Sequence, residues 1–209
     1  MRRRYKYVVY VIVLGFLFWR SCYFERLDEV RQAQEQKAFD PAEFAKDFWN
    51  NRLQRNLDRA TDARMLLDAL DADVEEANSK YGRRLGLAGS YYHLLAGRGT
   101  VVSIGQDGVL LSMRAPESEP EIMIITRNIY GNAIRDASGL INVSDFPNSR
   151  DFNNISEQIN KIVMNEVLPA FRQEVKEAVT VRFVGAAEIK QDQGQIRCLP
   201  IVPILLEIR

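Results

Sequence analysis

Between Thr100 and Ile208 the chain changes periodicity in a fixed order, and that order constrains the fold more than any other feature. Thr100–Gly105 and Val109–Arg114 flank Gln106-Asp107-Gly108, and Asp-Gly as a two-residue turn predicts a hairpin. Such a turn sets Ile104 against Leu111 and Val102 against Met113 on an apolar face. It sets Ser103 against Ser112 and Val101 against Arg114 on a mostly polar one. Ile122–Thr126 is apolar on both faces and reads as a central strand. Phe152, Ile155, Ile159, Ile162, Val163 and Val167 then form one helical stripe, with Asn154 and Glu157 at capping-box spacing. Pro169 marks a break or kink before Phe171–Ala178. Val179–Lys190 and Ile196–Ile208 read as the last strands, and Pro200 and Pro203 point to a bulge or an edge. Three strands, a long helix and two further strands is the order of an oligomer-binding (OB) fold.

Upstream the texture is helical. Asp40-Pro41 opens a helix, because Asp caps and Pro suits the first turn. Phe44, Phe48, Leu53 and Leu57 recur at helical spacing. Thr61 or Asp62 caps a second helix with Leu66, Leu67 and Leu70 inside, and Val74, Ala77 and Tyr81 suggest a third, stopped by Gly82. The expected fold class is α+β: an N-terminal helical layer packed on an OB-like five-stranded antiparallel β-barrel, with a long helix between strands 3 and 4. The expected organisation is a signal peptide or membrane anchor over 1–24 and a stalk over 25–39. A single domain follows over 40–209, with the helical layer at 40–82 and the OB-like core at 97–209.

Charge sharpens the picture at the N-terminus. The chain has 28 basic and 28 acidic residues, but residues 1–21 hold Arg2, Arg3, Arg4, Lys6 and Arg20 and no acid. The remainder therefore has 23 basic against 28 acidic residues, a net −5. An acidic remainder argues against nucleic acid, whose phosphates call for a basic face. Tyr7–Trp19 carries no charge and follows four cations, which is the pattern of an export signal. As a helix it spans roughly 20 Å, short of the ~30 Å hydrocarbon core unless Lys6 and Arg20 snorkel. The positive end stays in the cytoplasm, so residues 25–209 are expected on the periplasmic or extracytoplasmic side of the cytoplasmic membrane. Two readings of Cys22 stand. It is a lipidation site, supported by Ser21 but not by Trp19-Arg20, or an incidental residue after an uncleaved anchor.

Enzyme signatures are missing. There is no phosphate-binding G-x-x-x-x-G-K-[ST], no G-x-S-x-G elbow, and Gly97-Arg98-Gly99 lacks the third glycine of a dinucleotide loop. One His and two Cys do not supply the usual tetrahedral zinc site, so no metal and no cofactor is expected. His93 reads as a structural or surface residue and Cys198 as a buried thiol in an apolar strand. The unusual stretch is 128–154, read as irregular. It gathers Asn132, Arg135, Asp136, Asn142, Asp145, Asn148, Arg150 and Asp151 around Tyr130, Phe146 and Phe152. Planar polar groups beside aromatic faces are the chemistry of a sugar or polyol site. The ligand-binding candidates are Tyr130, Asn132, Arg135, Asp136, Asp145 and Asn148. The opposing reading gives these Asn, Asp and Ser residues to caps and turns of an ordered loop. Spacing for a calcium loop is absent.

Several blocks in this part of the chain carry a resemblance. Phe39-Asp-Pro-Ala-Glu-Phe-Ala-Lys-Asp-Phe-Trp49, Tyr81-Gly-Arg-Arg84, Gly97-Arg-Gly-Thr-Val-Val102, Gly131-Asn-Ala-Ile-Arg-Asp-Ala-Ser-Gly139, Asp145-Phe-Pro-Asn-Ser-Arg-Asp-Phe-Asn153 and Phe183-Val-Gly185 resemble a bacterial family of predicted periplasmic lipoproteins, domain of unknown function 2291. The resemblance implies an OB-like core. It also implies genes placed beside ribose-type ABC sugar transporters, and hence a membrane-tethered, non-catalytic accessory or binding protein linked to sugar or polyol uptake. The expected partners are the membrane, ABC transporter components and a sugar or polyol, with no nucleic acid. In an OB fold the ligand loops here would fall near Gly105–Gly108 and Gln191–Gln195. Two alternatives remain. One is an envelope protein–protein module using an apolar patch on helices 40–82. The other is a carbohydrate-active enzyme, which would need carboxylates such as Asp136 and Asp145 to converge.

Overall fold

The computed structural model describes residues 39–84, 89–114, 118–146, 148–190 and 196–209. Cys22, the export signal, the stalk up to residue 38 and the 191–195 loop lie outside them. Asp40–Arg209 forms one compact unit.

Five strands make the barrel: β1 (Ser90–Ile104), β2 (Gly108–Ser112), β3 (Ile122–Ile125), β4 (Thr180–Lys190) and β5 (Leu199–Ile208). β1 pairs with β2, β2 with β3, β3 with β5, β5 with β4, and β4 back with β1, so the sheet closes. The β3–β5 pair is parallel and the other four are antiparallel. Closure removes the open strand edges that a flat sheet would expose. Inside sit Leu95, Val101, Val109, Leu111, Ile122, Ile124, Phe183, Ile189, Leu199 and Ile201, all nearly inaccessible.

The hairpin forms, but not in the expected register. Ile104 faces Val109, Ser103 faces Leu110 and Val101 faces Leu111, with a bulge between Val101 and Ser103. The turn centres on Gln106-Asp107, closed by Gly105 N–H donating to Gly108 C=O at 2.9 Å. Gly108 serves a different purpose from a turn glycine. A Cβ there would lie 2.4 Å from the Ile124 carbonyl, so its absence lets β3 approach. β1 is also ten residues longer at its start than the Thr100 boundary suggests. Gly97 and Gly99 lie within the strand, where added Cβ atoms would strike Ala63, Met113 and Phe183, or Leu111. The expected Thr100 boundary leaves them outside the strand, but they are places of close packing within it. The bulge implied by Pro203 is present: Val184 faces Leu205 while Gly185 faces Pro203. It switches the inward parity of β5 from Leu199 and Ile201 to Leu206 and Ile208, which breaks strict alternation.

The helical layer divides in two. α1 (Pro41–Asp47) is capped by Asp40, which accepts from Ala42 N at 2.8 Å and Glu43 N at 3.3 Å. It continues through a π-helical turn (Phe48–Leu53) and a 3₁₀ turn (Gln54–Arg59). α2 (Ala63–Ala72) and α3 (Val74–Tyr81) are capped by Asp62 and Asp73. Leu66, Leu67, Leu70 and Ala77 of this pair join the barrel core. α1 packs instead on α5 (Ser149–Ile162).

Between β3 and β4 lie three helices where the sequence suggested one. α4 (Ala133–Ser138) falls in the stretch read as irregular, and all six of its residues are buried. α5 is capped six residues before Asn154, by Asn148, which accepts from Asp151 N at 2.9 Å. A π-helical turn at Val163–Val167 precedes α6 (Leu168–Glu174), with Pro169 in its first turn. The break expected at Pro169 therefore takes the form of a wider turn that needs no proline N–H. Phe171 of α6 enters the barrel core. Buried residues outside that core, among them Phe48, Leu53, Ile134, Phe152, Ile155 and Ile159, form a second layer with α1, α4 and α5.

Candidate functional site

The candidate residues of 128–154 separate into two groups with opposite fates. Arg135 and Asp136 are buried, at 2% and 8% exposure. Arg135 Nε donates to Asp136 Oδ1 at 2.7 Å and Nη2 to Oδ2 at 3.1 Å, a bidentate pair. Its Nη1 donates to the Phe152 carbonyl at 2.9 Å, and the guanidinium sits 3.6 Å from the centre of the Phe152 ring. Phe152 in turn meets Phe146 at 5.7 Å, and Phe146 meets Phe44 at 5.4 Å edge to face. This stack ties α4, α5 and α1 together, so Arg135, Asp136, Phe146 and Phe152 act as scaffold. Asn148 is the exposed cap of α5. Asp145 is exposed in a 3₁₀ turn, Val143–Asp145. Asp136 is held by Arg135, whereas Asp145 faces solvent.

Tyr130 and Asn132 stay available. Tyr130 is 82% exposed, the most exposed large apolar or aromatic side chain among the described residues. Its loop is held by two residues in the left-handed region, Asn128 at φ 53° and Gly131 at φ 84°. Asn132 precedes α4 without its side chain capping the helix. Beneath Tyr130, Ile129 is buried as the anchor of the loop.

A groove of about 620 Å³ opens between this loop and the outer wall of the barrel. Its floor is Met123 and Ile125 of β3, Ala186 of β4, and Pro200 and Val202 of β5; Tyr130 stands on its rim. This explains why β3 is apolar on both faces: one face fills the barrel and the other lines the groove. Four charged side chains, Asp107, Arg127, Glu188 and Lys190, border it, two of each sign. Glu188 is fixed by Ser90 Oγ, which donates to Oε1 at 2.6 Å. Asp107 comes from the β1–β2 turn, one of the two loops where ligand contacts were expected. The second loop, Gln191–Gln195, lies outside the described residues.

A second groove of about 340 Å³ lies on the other side of the same loop. It shares Ile129 and Tyr130 with the first and adds Asn132, Asn153, Ser156, Glu157, Asn160 and Lys161. Asn160 is held by Gly131, donating from Nδ2 to its carbonyl at 3.0 Å, and Lys161 pairs with Glu157 at 2.7 Å. Ser156 Oγ is buried without a hydrogen-bond partner.

The sequence pointed to Tyr130 and Asn132 but missed Met123, Ile125, Glu188, Lys190, Pro200 and Val202. The signal for Met123 and Ile125 was the two-faced apolarity of 122–126. The others carry no local signal, because the groove is assembled from three strands that meet only in the fold.

His93 is fully buried, as a structural role requires. Its Nε2 lies 2.8 Å from Asn78 Oδ1, so this nitrogen carries the proton, and Nδ1 is buried without a partner. Burial pushes its pKa down to about 4. A Cβ at Gly82 would fall 2.9 Å from the ring. Cys198 is only half-buried; desolvation and then the Glu121 carboxylate push its thiol pKa up, away from the reactive thiolate. Among the described residues no cluster of His, Cys, Asp or Glu is arranged to hold a metal, and no helix is long and apolar enough to cross a membrane.

The fold has a solved counterpart. The crystal structure of an OB-fold protein from Thermotoga maritima superimposes with a TM-score of 0.76 at 29% identity, covering 82% of this chain and 99% of that one. No curated protein matches the chain. The family model described as "Predicted periplasmic lipoprotein (DUF2291)" matches residues 11–207, nearly the whole sequence, and the chain belongs to that family.

Proposed function

We propose that this protein is a membrane-tethered, non-catalytic binding module of the bacterial envelope that holds a sugar or polyol in the groove under Tyr130. The observation that carries the reading is Tyr130 itself. A tyrosine 82% exposed, on a loop fixed by two left-handed residues, stands over a groove with an apolar floor and a charged rim. An exposed aromatic face packs on the C–H face of a sugar ring, and rim groups of both signs hydrogen-bond its hydroxyls. The volume lies within the ~300–1,000 Å³ range of ligand clefts.

Membership in a family of predicted periplasmic lipoproteins supports the envelope location, and the cationic, then apolar N-terminus supports a cytoplasmic-membrane anchor with residues 25–209 outside. The link to ABC-type uptake rests on the gene neighbourhood that the family resemblance implies. A purely protein-binding module finds less support. Among the described residues of 40–82, Met65 is the one large apolar side chain that is exposed, and isolated exposed residues are ordinary.

The test is thermal unfolding of the full-length chain in mild detergent against pentoses, hexoses, inositols, linear polyols and oligosaccharides. A ligand at about 100 times its Kd adds about 2.7 kcal/mol, which raises the midpoint by roughly 5–10 °C in a domain of this size. A rise with one class, lost in Tyr130→Ala, is the expected result. A flat panel at millimolar concentrations overturns the reading. Crosslinking of the anchored protein in cells, with transporter subunits recovered or absent, tests the uptake link separately.

A further inference from the structure

We infer that the two grooves flanking Tyr130 are halves of one site, and that its ligand is a neutral oligosaccharide of at least two rings rather than a single sugar. This rests on the ligand-binding reading above and deepens it.

Three observations point the same way. The grooves share Ile129 and Tyr130, so the Tyr130 loop borders both. Tyr130 is the exposed aromatic on the ridge between them, where a chain crossing from one to the other would lay a ring on its face. A single ring would occupy part of one groove and leave the other to water. The ridge is also built rather than loose: Gly131 takes φ 84°, and its carbonyl accepts from Asn160 Nδ2 at 3.0 Å.

The chemistry on the two sides is complementary. The first groove offers an apolar floor (Met123, Ile125, Val202) for the C–H faces of a ring. The second offers amides, Asn132 and the exposed Asn153, while Asn160 braces the ridge. Carboxamides present a donor and an acceptor in one plane and match vicinal hydroxyls. Charges cancel on both sides. Arg127 and Lys190 offset Asp107 and Glu188 in the first groove, and Lys161 offsets Glu157 in the second. A site that carried uronic acids or phosphates would show a cationic excess, and neither groove does.

The experiment is calorimetric titration of the full-length chain in detergent with glucose, the maltose and cellobiose series, and N-acetylglucosamine with its chitin-type oligomers. Oligogalacturonates of matched length serve as the charged control. The expected result is that Kd falls about tenfold or more from one ring to the longer chains of one neutral series. Arg127→Ala in the first groove and Asn132→Ala in the second should each remove most of that gain, and Tyr130→Ala should abolish it. All three positions lie outside the core, and an unchanged unliganded melting midpoint checks that each variant folds. If monosaccharides bind as tightly as their oligomers and Asn132→Ala has no effect, the two-groove inference fails while the binding reading stands. If oligogalacturonates bind best, the neutral assignment fails. If no carbohydrate of any length binds, both fail together.

Discussion

Two ends of one short segment carry similar residues and do opposite things. At Arg135–Asp136 the polar groups are buried, paired to each other and stacked on Phe152. At Tyr130–Asn132 the aromatic is exposed and the amide makes no cap. Composition does not separate them. What separates them is whether the fold already supplies each group with a partner. Arg135 is 2% exposed and directs its donors to Asp136, the Phe152 carbonyl and Asn153 Oδ1, so it is not presented to a ligand. The lesson is that an Asn/Asp/Arg-rich stretch contains a scaffold and a presenting surface, and hydrogen-bond accounting assigns each residue to one or the other.

The sharpest way to break this division is to remove Arg135. Arg135→Ala leaves the Asp136 carboxylate buried and unpaired, and loss of one member of a buried pair costs about 3–5 kcal/mol. Urea denaturation should show that loss, and an unchanged midpoint would mean that the pair does not hold α4. Replacing both residues with Met and Leu should recover much of the loss, because the buried charge then goes with its partner.

The second effect comes from His93. In the folded chain it stays neutral down to about pH 4, against an ordinary value of 6.5. As pH falls below 6.5 the unfolded chain takes up the proton first, so stability falls with pH. The contribution is present in full above about 6.5 and is lost between there and 4, on the order of 3 kcal/mol in all. His93→Gln should flatten that part of the pH–stability profile, and an equally steep profile in the variant would place the acid sensitivity elsewhere.

Two glycines give smaller effects of different origin. Gly108→Ala puts a methyl 2.4 Å from a backbone carbonyl that cannot swing away, and overpacking of this kind costs about 2 kcal/mol. Gly131→Ala meets nothing closer than 4.0 Å, so its cost is the left-handed backbone alone, about 1 kcal/mol. If the two costs were equal, space and backbone strain would not be the separate causes described here. Ligand binding should weaken in both variants, through the Tyr130 loop in Gly131→Ala and through the groove floor in Gly108→Ala, whose Cβ would lie 3.0 Å from Met123 Cγ.

These glycines also show where sequence reading stops. Strand order was legible, because alternation and the 152–167 stripe are local signals, and order alone points to the OB barrel. Register was not, because Gly108 reads as a turn glycine while its role depends on a strand fourteen residues later. α4 was hidden for a related reason. Its Arg-Asp pair looks like a loop until Phe152 and Asp136 are seen to satisfy it, and a helix buried all round has no polar face to reveal its period. Tyr130 and Asn132 could be named in advance, but not the groove they border. Met123, Glu188 and Val202 are brought together only by barrel closure.

The smallest stability effect is the one that most directly tests the contrast between the two ends of the segment. Tyr130→Ala removes a side chain that is four-fifths exposed and for which no hydrogen bond is seen, so stability should change by less than about 0.5 kcal/mol. Ile129 beside it remains buried and keeps the loop anchored, and Asn160 still holds Gly131. On the proposed reading, this exposed ring serves the ligand and not the fold. If chemical denaturation instead shows Tyr130→Ala to be as costly as Gly131→Ala, the ring is packing against the loop, Tyr130 belongs with Arg135 as scaffold, and the ridge between the grooves loses its role.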